Sequence, residues 1–197
     1  MKKFNFRQIK IKKVKLEDIS DQTLLQSLYI TQGVILSVGI ILIMMQRQSL
    51  LELFSIGEWS SILVWGIGLA AVVVAANGLV ARLAPEDILD DGGVNDRIFR
   101  RRHVLHIAVL SLIVAVCEEL LFRGAIQYWL GPYWTSIVFA AIHLRYLRHW
   151  LLTGFVFSSS YALGWIYVRT GTLWTPILAH FLIDFILGCL LRYRREK

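Results

Sequence analysis

Cys117-Glu118-Glu119-Leu120-Leu121-Phe122-Arg123 is the stretch that decides how this chain is read. It puts two adjacent carboxylates and a guanidinium inside an apolar run, with Val104–Ala115 before it and Gly124–Leu130 after it. A charged side chain at the centre of a bilayer costs about 2.5–3.5 kcal/mol on insertion scales. A membrane segment keeps such groups when they pair, face the interior of a bundle, or do chemistry. The remaining sequence is therefore read for what meets Glu118, Glu119 and Arg123.

The 197 residues are 56% hydrophobic, with a mean hydropathy of +0.59. That exceeds the roughly 45–50% apolar share of a soluble domain. A spanning helix needs about 20 mostly apolar residues. Six runs qualify as candidates: Leu24–Met45, Trp59–Leu83, Val104–Leu130 (ending near Gly131-Pro132), a short Tyr133–Tyr146, Leu151–Val168 and Leu173–Leu191. Only helices or closed barrels satisfy their backbone in lipid, so the expected fold class is all-α, a polytopic membrane helix bundle of about six transmembrane helices. Residues 1–23 read as a basic cytoplasmic leader able to lie on an anionic surface, and 24–197 as a single transmembrane domain. The longest polar connection is Ala84–His103, acidic first and basic later.

The formal charge of +7 would raise nucleic acid as a partner in a soluble protein. Here the basic residues cluster at the ends of apolar runs. Eighteen of the 21 Lys and Arg fall on one side of the expected bundle; Arg47 and Arg169 fall on the other, and Arg123 lies within a span. That bias predicts a multi-pass cell-membrane protein with both termini cytoplasmic, with the lipid bilayer and not nucleic acid as its surroundings. Oligomeric state is left open. His103, His106 and His149 sit near predicted interfaces and read as bland, as do the tryptophans. Ser158–Ser160 reads as a small helix-packing face, and Arg100–Arg102 as a topology signal.

Six polar residues interrupt the apolar runs: Glu118, Glu119, Arg123, His143, His180 and Asp184. Glu119 and Arg123 are four apart and share a helix face, as do His180 and Asp184. Glu118 is about 100° around from Glu119, so one carboxylate can pair with Arg123 while the other faces a cavity. At about 1.5 Å of rise per residue, Glu118, His143 and His180 fall within roughly one turn of each other in depth, at or outward of the midplane. Two imidazoles plus carboxylates can hold a divalent metal such as zinc, with a position left for water. The same set works without metal: a glutamate takes a proton from water beside one histidine, and a second histidine stabilises the oxyanion. Both schemes hydrolyse a carbonyl compound, most simply a peptide bond.

The pattern Glu118-Glu119-x-x-x-Arg123, Phe139-x-x-x-His143 and His180-x-x-x-Asp184 resembles the three motifs of the CPBP intramembrane protease family. That family groups CAAX prenyl endopeptidases with bacteriocin-processing and abortive-infection proteins. Phe122-Arg123-Gly124 and Thr170-Gly171-x-Leu173-Trp174-x-Pro176-Ile177 are similar too, and the likeness covers about residues 100–190. The resemblance implies an intramembrane endopeptidase acting on a peptide or membrane-protein substrate. It implies Glu118 as water-activating base with His143, and His180 and Asp184 lining the oxyanion side or ligating a metal. Glu119, Arg123 and Phe139 would support them. Asparagine is frequent at the position of Asp184 in the CAAX branch, and an ionised aspartate donates no hydrogen bond, which favours orientation of His180 or metal binding. The alternatives are an inactive scaffold or regulator of the same fold, and a proton-coupled transporter, since carboxylate–histidine sets also mark proton relays.

Overall fold

A computed structural model describes residues 18–83 and 92–193. The expected leader falls largely on residues 1–17, outside the described residues, as does the acidic half of the Ala84–His103 connection. The elements are α1 (Asp21–Met45), α2 (Leu50–Leu53), α3 (Trp59–Leu83), α4 (Val94–Phe99), α5 (Val104–Glu119), a π-helical segment (Leu120–Ile126), α6 (Gln127–Ile142), α7 (Trp150–Thr170) and α8 (Trp174–Tyr193). All regular structure among the described residues is helical. Five helical runs are long and apolar enough to cross a membrane: α1, α3, Val104–Ile142, α7 and α8.

The count is one below the expected six because the third and fourth candidates form one helical run that folds back on itself. Gly131 holds φ 70 and ψ 172, a backbone conformation closed to residues with a Cβ, and Pro132 follows it. Phe122 and Phe139 would lie about 25 Å apart on a straight helix. Their ring centroids are 4.7 Å apart, so the chain reverses between them. The returning arm ends at Ile142, where the sequence reading had carried it to Tyr146. Ten residues span about 15 Å, half of a hydrocarbon core of about 30 Å. The arm therefore stops at mid-depth, with Phe139 and Ala140 buried in the bundle and Ile142 exposed at its end.

The reversing run is the centre of the molecule. α1 packs on the π-helical segment, α6 on α7, and α8 on both α3 and α5. Ile43, Leu53, Leu120, Ala125, Leu173 and Ile177 form the largest buried apolar cluster and lock α1, the π-helical segment and the start of α8 together. Apolar burial supplies little drive between helices in lipid, so close approach matters more. Gly39 provides it: a Cβ there would lie 3.2 Å from the Leu121 Cα and 2.7 Å from Leu120 Cδ2.

The π-helical stretch leaves backbone carbonyls to be satisfied, and an unpaired one in lipid costs several kcal/mol. The α1–α2 loop satisfies two of them. Gln46 Nε2 donates to the Ala125 carbonyl at 2.9 Å, and Gln48 Nε2 to the Gly124 carbonyl at 3.0 Å. Arg47 between them takes φ 56, which turns both amides towards the same segment. On the opposite end of the bundle, α4 is anchored to α1 by Arg97, whose Nη2 lies 2.6 Å from Asp21 Oδ1.

Gly131→Ala should lower the unfolding free energy by about 1–3 kcal/mol, the typical cost of a Cβ in a glycine-only conformation. Gly154→Ala, where an added Cβ meets nothing within 4 Å, should cause no comparable loss. Reversible unfolding in mixed micelles measures both.

Candidate active site

The polar groups from Ser160 and Arg123 to Gln32 form one connected chain. Arg123, 1% exposed, donates from Nη2 to the Ser160 carbonyl at 2.8 Å and to Ser160 Oγ at 3.1 Å. Its Nε lies 3.1 Å from Glu119 Oε2, with both side chains fully buried. The second Glu119 oxygen accepts a hydrogen bond from His180 Nδ1 at 2.7 Å. His180 Nε2 then faces two further carboxylates, Asp184 Oδ2 at 3.5 Å and Glu118 Oε2 at 4.0 Å. The remaining Glu118 oxygen accepts from Gln32 Nε2 at 3.3 Å. The chain joins α7, the π-helical segment, α5, α8 and α1.

The adjacent glutamates point to different neighbours, as their 100° offset requires. Glu119 is fully enclosed by Arg123 and His180, whereas Glu118 sits at the wall of the site beside His180. His143 caps the returning arm with φ −80 and ψ 58, and it lies within electrostatic reach of Glu118. Its Nδ1 lies 2.7 Å from the Phe139 carbonyl. A carbonyl only accepts, so Nδ1 carries the proton there and Nε2 is left with its lone pair in the neutral ring. The imidazole is sandwiched: Phe139 lies 4.6 Å from its centroid, and Tyr146 stacks on it at 5.8 Å and 8°. Tyr146 is held in turn by Asn95 Nδ2, 3.1 Å from its hydroxyl. Phe139 also receives the Arg123 guanidinium over its ring at 5.3 Å.

Glu118, Glu119, Arg123, Phe139, His143, His180 and Asp184 are thus brought into one neighbourhood. Asp184 is the most open of the carboxylates, at 30% side-chain exposure. Two partners were not singled out in the sequence. Ser160, read as a packing residue, is the acceptor for the buried guanidinium. Gln32 does not stand out in the sequence, because an uncharged amide is no anomaly in an apolar run. The signal that finds it is position: Gln32, Gly39 and Ile43 are the buried residues of α1 and lie on one helical face. A divalent ion would have to be held by Glu118, His143, His180 and Asp184. Among the described residues no three His, Cys, Asp or Glu side chains converge as a metal-holding group, although the Glu119 contact at His180 Nδ1 leaves Nε2 free to face Glu118 and Asp184.

Fold and site together define a multi-pass helical membrane protein with carboxylates and imidazoles gathered inside its bundle. Residues 100–186 match the model of the type II CAAX prenyl endopeptidase Rce1-like family. A relative in Bacillus subtilis (strain 168), "Uncharacterized protein YpbD", is 42% identical over 139 residues, which is 68% of this chain and 74% of that protein. No solved structure matches the chain. The chain belongs to the Rce1-like family of CPBP membrane proteins.

Breaking the innermost pair should be costly. Arg123→Leu leaves Glu119 buried without its cation, and an orphaned buried charge typically costs about 3–5 kcal/mol. Adding Glu119→Leu should recover part of that loss, so the double variant is more stable than the sum of the singles predicts. Unfolding titrations of the three variants in micelles read the coupling.

Proposed function

We propose that the chain is an intramembrane endopeptidase that hydrolyses a peptide bond with water activated by Glu118 and His143. The observation that carries the reading is the convergence on His180 of Glu118 and Asp184, at 4.0 and 3.5 Å, beside His143 and deep in an apolar bundle. Membership of a prenyl-endopeptidase family supports the reaction class.

In this mechanism the water sits between Glu118 Oε2 and His143 Nε2. His143 accepts a hydrogen bond from one water proton through the nitrogen left free by the Phe139 contact. Glu118 takes the other proton as the water oxygen attacks the carbonyl carbon. The new C–O bond turns the carbonyl oxygen into an oxyanion. His180, as imidazolium, donates from Nε2 to that oxyanion while Nδ1–H stays on Glu119. Glu118 then passes its proton to the amide nitrogen, the C–N bond breaks, and a carboxylic acid and an amine leave. Asp184, an acceptor only, orients His180 and does not itself contact the oxyanion. Every proton step is assigned to a side chain, and none is routed through a metal.

The one-sided distribution of Lys and Arg supports a cell-membrane protein with both termini cytoplasmic. His143 and Asp184, the more open members, lie toward the end of the bundle where Asn95 meets Tyr146. A peptide reaching the water from that end comes from the cytoplasmic side. The substrate class is a peptide or membrane-protein segment, with prenylated C-terminal peptides the first to test given the family's description.

Glu118→Ala and His143→Ala should each cut cleavage by about 10²–10⁴-fold, the typical contribution of general acid–base groups, while the protein still inserts and folds. Mass spectrometry of prenylated and unprenylated peptides incubated with purified protein measures this. Wild-type rates in both variants would remove the mechanism; an unaltered cellular phenotype would favour a scaffold.

A further inference from the structure

Glu118 presents its two oxygens to different partners. Oε1 accepts from Gln32 Nε2 at 3.3 Å, and Oε2 faces His180 Nε2 at 4.0 Å. The last torsion of a glutamate is broad and roughly two-fold, so the side chain alone does not choose which oxygen faces the reaction. A donor fixed on one oxygen makes that choice.

Gln32 is such a donor. It is 6% exposed, and its Oε1 has no hydrogen-bond partner. The amide orientation follows from chemistry, since the reverse flip would set a carbonyl oxygen against a carboxylate oxygen. A buried carboxamide on an otherwise apolar helix face is unfavourable unless it is bonded. Leucine or methionine of similar volume would fill the space without that penalty. The neighbouring buried positions on the face, Gly39 and Ile43, serve packing. Gly39 in particular brings α1 against the backbone that follows Glu119.

We propose that Gln32, on the first membrane helix and outside the stretch matched by the family model, is a positioning residue that holds Glu118 Oε1 and leaves Oε2 as the base. The proposal rests on the peptidase reading above. It makes α1 part of the active site, where the motifs alone would confine the site to α5, α6 and α8.

The test is Gln32→Met, which keeps the length and volume of the side chain and removes its N–H. We expect kcat to fall about 10–100-fold, the usual consequence of losing an outer partner of a working group, with KM unchanged and unfolding stability retained. In a Glu118→Gln background, Gln32→Met should lower the residual rate no further, because the group it positions is already disabled. A Gln32→Met protein with wild-type kcat would overturn the proposal, as would the same fold-loss in both backgrounds, which marks a merely structural role. Wild-type cleavage with an unaffected Gln32→Met strikes this inference alone. Absence of cleavage by the wild-type chain strikes the peptidase reading, and this one with it.

Discussion

The contact on which the rest depends is the buried pair of Arg123 and Glu119. Taking each ion out of water costs several kcal/mol, and only good geometry with further hydrogen bonds offsets it. The chain meets part of that demand by distributing the partners over separate helices, while Arg123 Nη1 makes no hydrogen bond to the described residues. Ser160 of α7 takes the guanidinium, Phe139 of the returning arm lies under it, and His180 of α8 takes the second Glu119 oxygen. Moving any one of these helices would strand a charge. The ion pair is therefore a registration device for three membrane helices that have little hydrophobic drive to choose their own register.

A second constraint acts on the backbone. The helix that carries both glutamates widens immediately after them, and lipid offers no water to the freed carbonyls. Two glutamine amides from the α1–α2 loop take that role, with Arg47 bent into a positive-φ conformation between them. The widened segment then continues to Gly131, where the chain reverses. Widening and reversal have one joint result: His143, on the same helical run, returns to the depth of Glu118. An uninterrupted α-helix would place residues 118 and 143 about 37 Å apart.

These features explain what could be read in the sequence and what could not. Hydropathy marks the spans because backbone satisfaction forces every crossing into an apolar run of a set length. Trp59–Leu83 has the same limits in sequence and structure. The polar residues of the site are visible for the opposite reason, being anomalies in those runs. Sequence and structure part at the short fourth run because an apolar composition says nothing about how far a helix travels before its chain turns. Tyr133 to Tyr146 is apolar enough to resemble a crossing, yet the arm is helical only to Ile142. Ser160 and Gln32 were harder to see, since an uncharged polar side chain inside a span is common. Their roles depend on which face meets a neighbour, which is a tertiary fact.

The adjacency of the two glutamates has its own logic. Consecutive residues on a helix point about 100° apart, so one sequence element supplies both an anchor and a working group without letting them compete. Glu119 spends both oxygens on Arg123 and His180 and has none left for chemistry. Glu118 has one oxygen committed to Gln32 and one directed at the site. His180 links the two, since its Nδ1 is tied to the anchor and its Nε2 faces the worker. The imidazole is therefore oriented by the same ion pair that sets the helix register. A packing error that loosened the bundle would at once misplace the imidazole that the proposed mechanism sets against the oxyanion. Fold and proposed reaction geometry are coupled through a single ring, so the fully buried Arg123–Glu119 pair lies next to the carboxylate proposed as base.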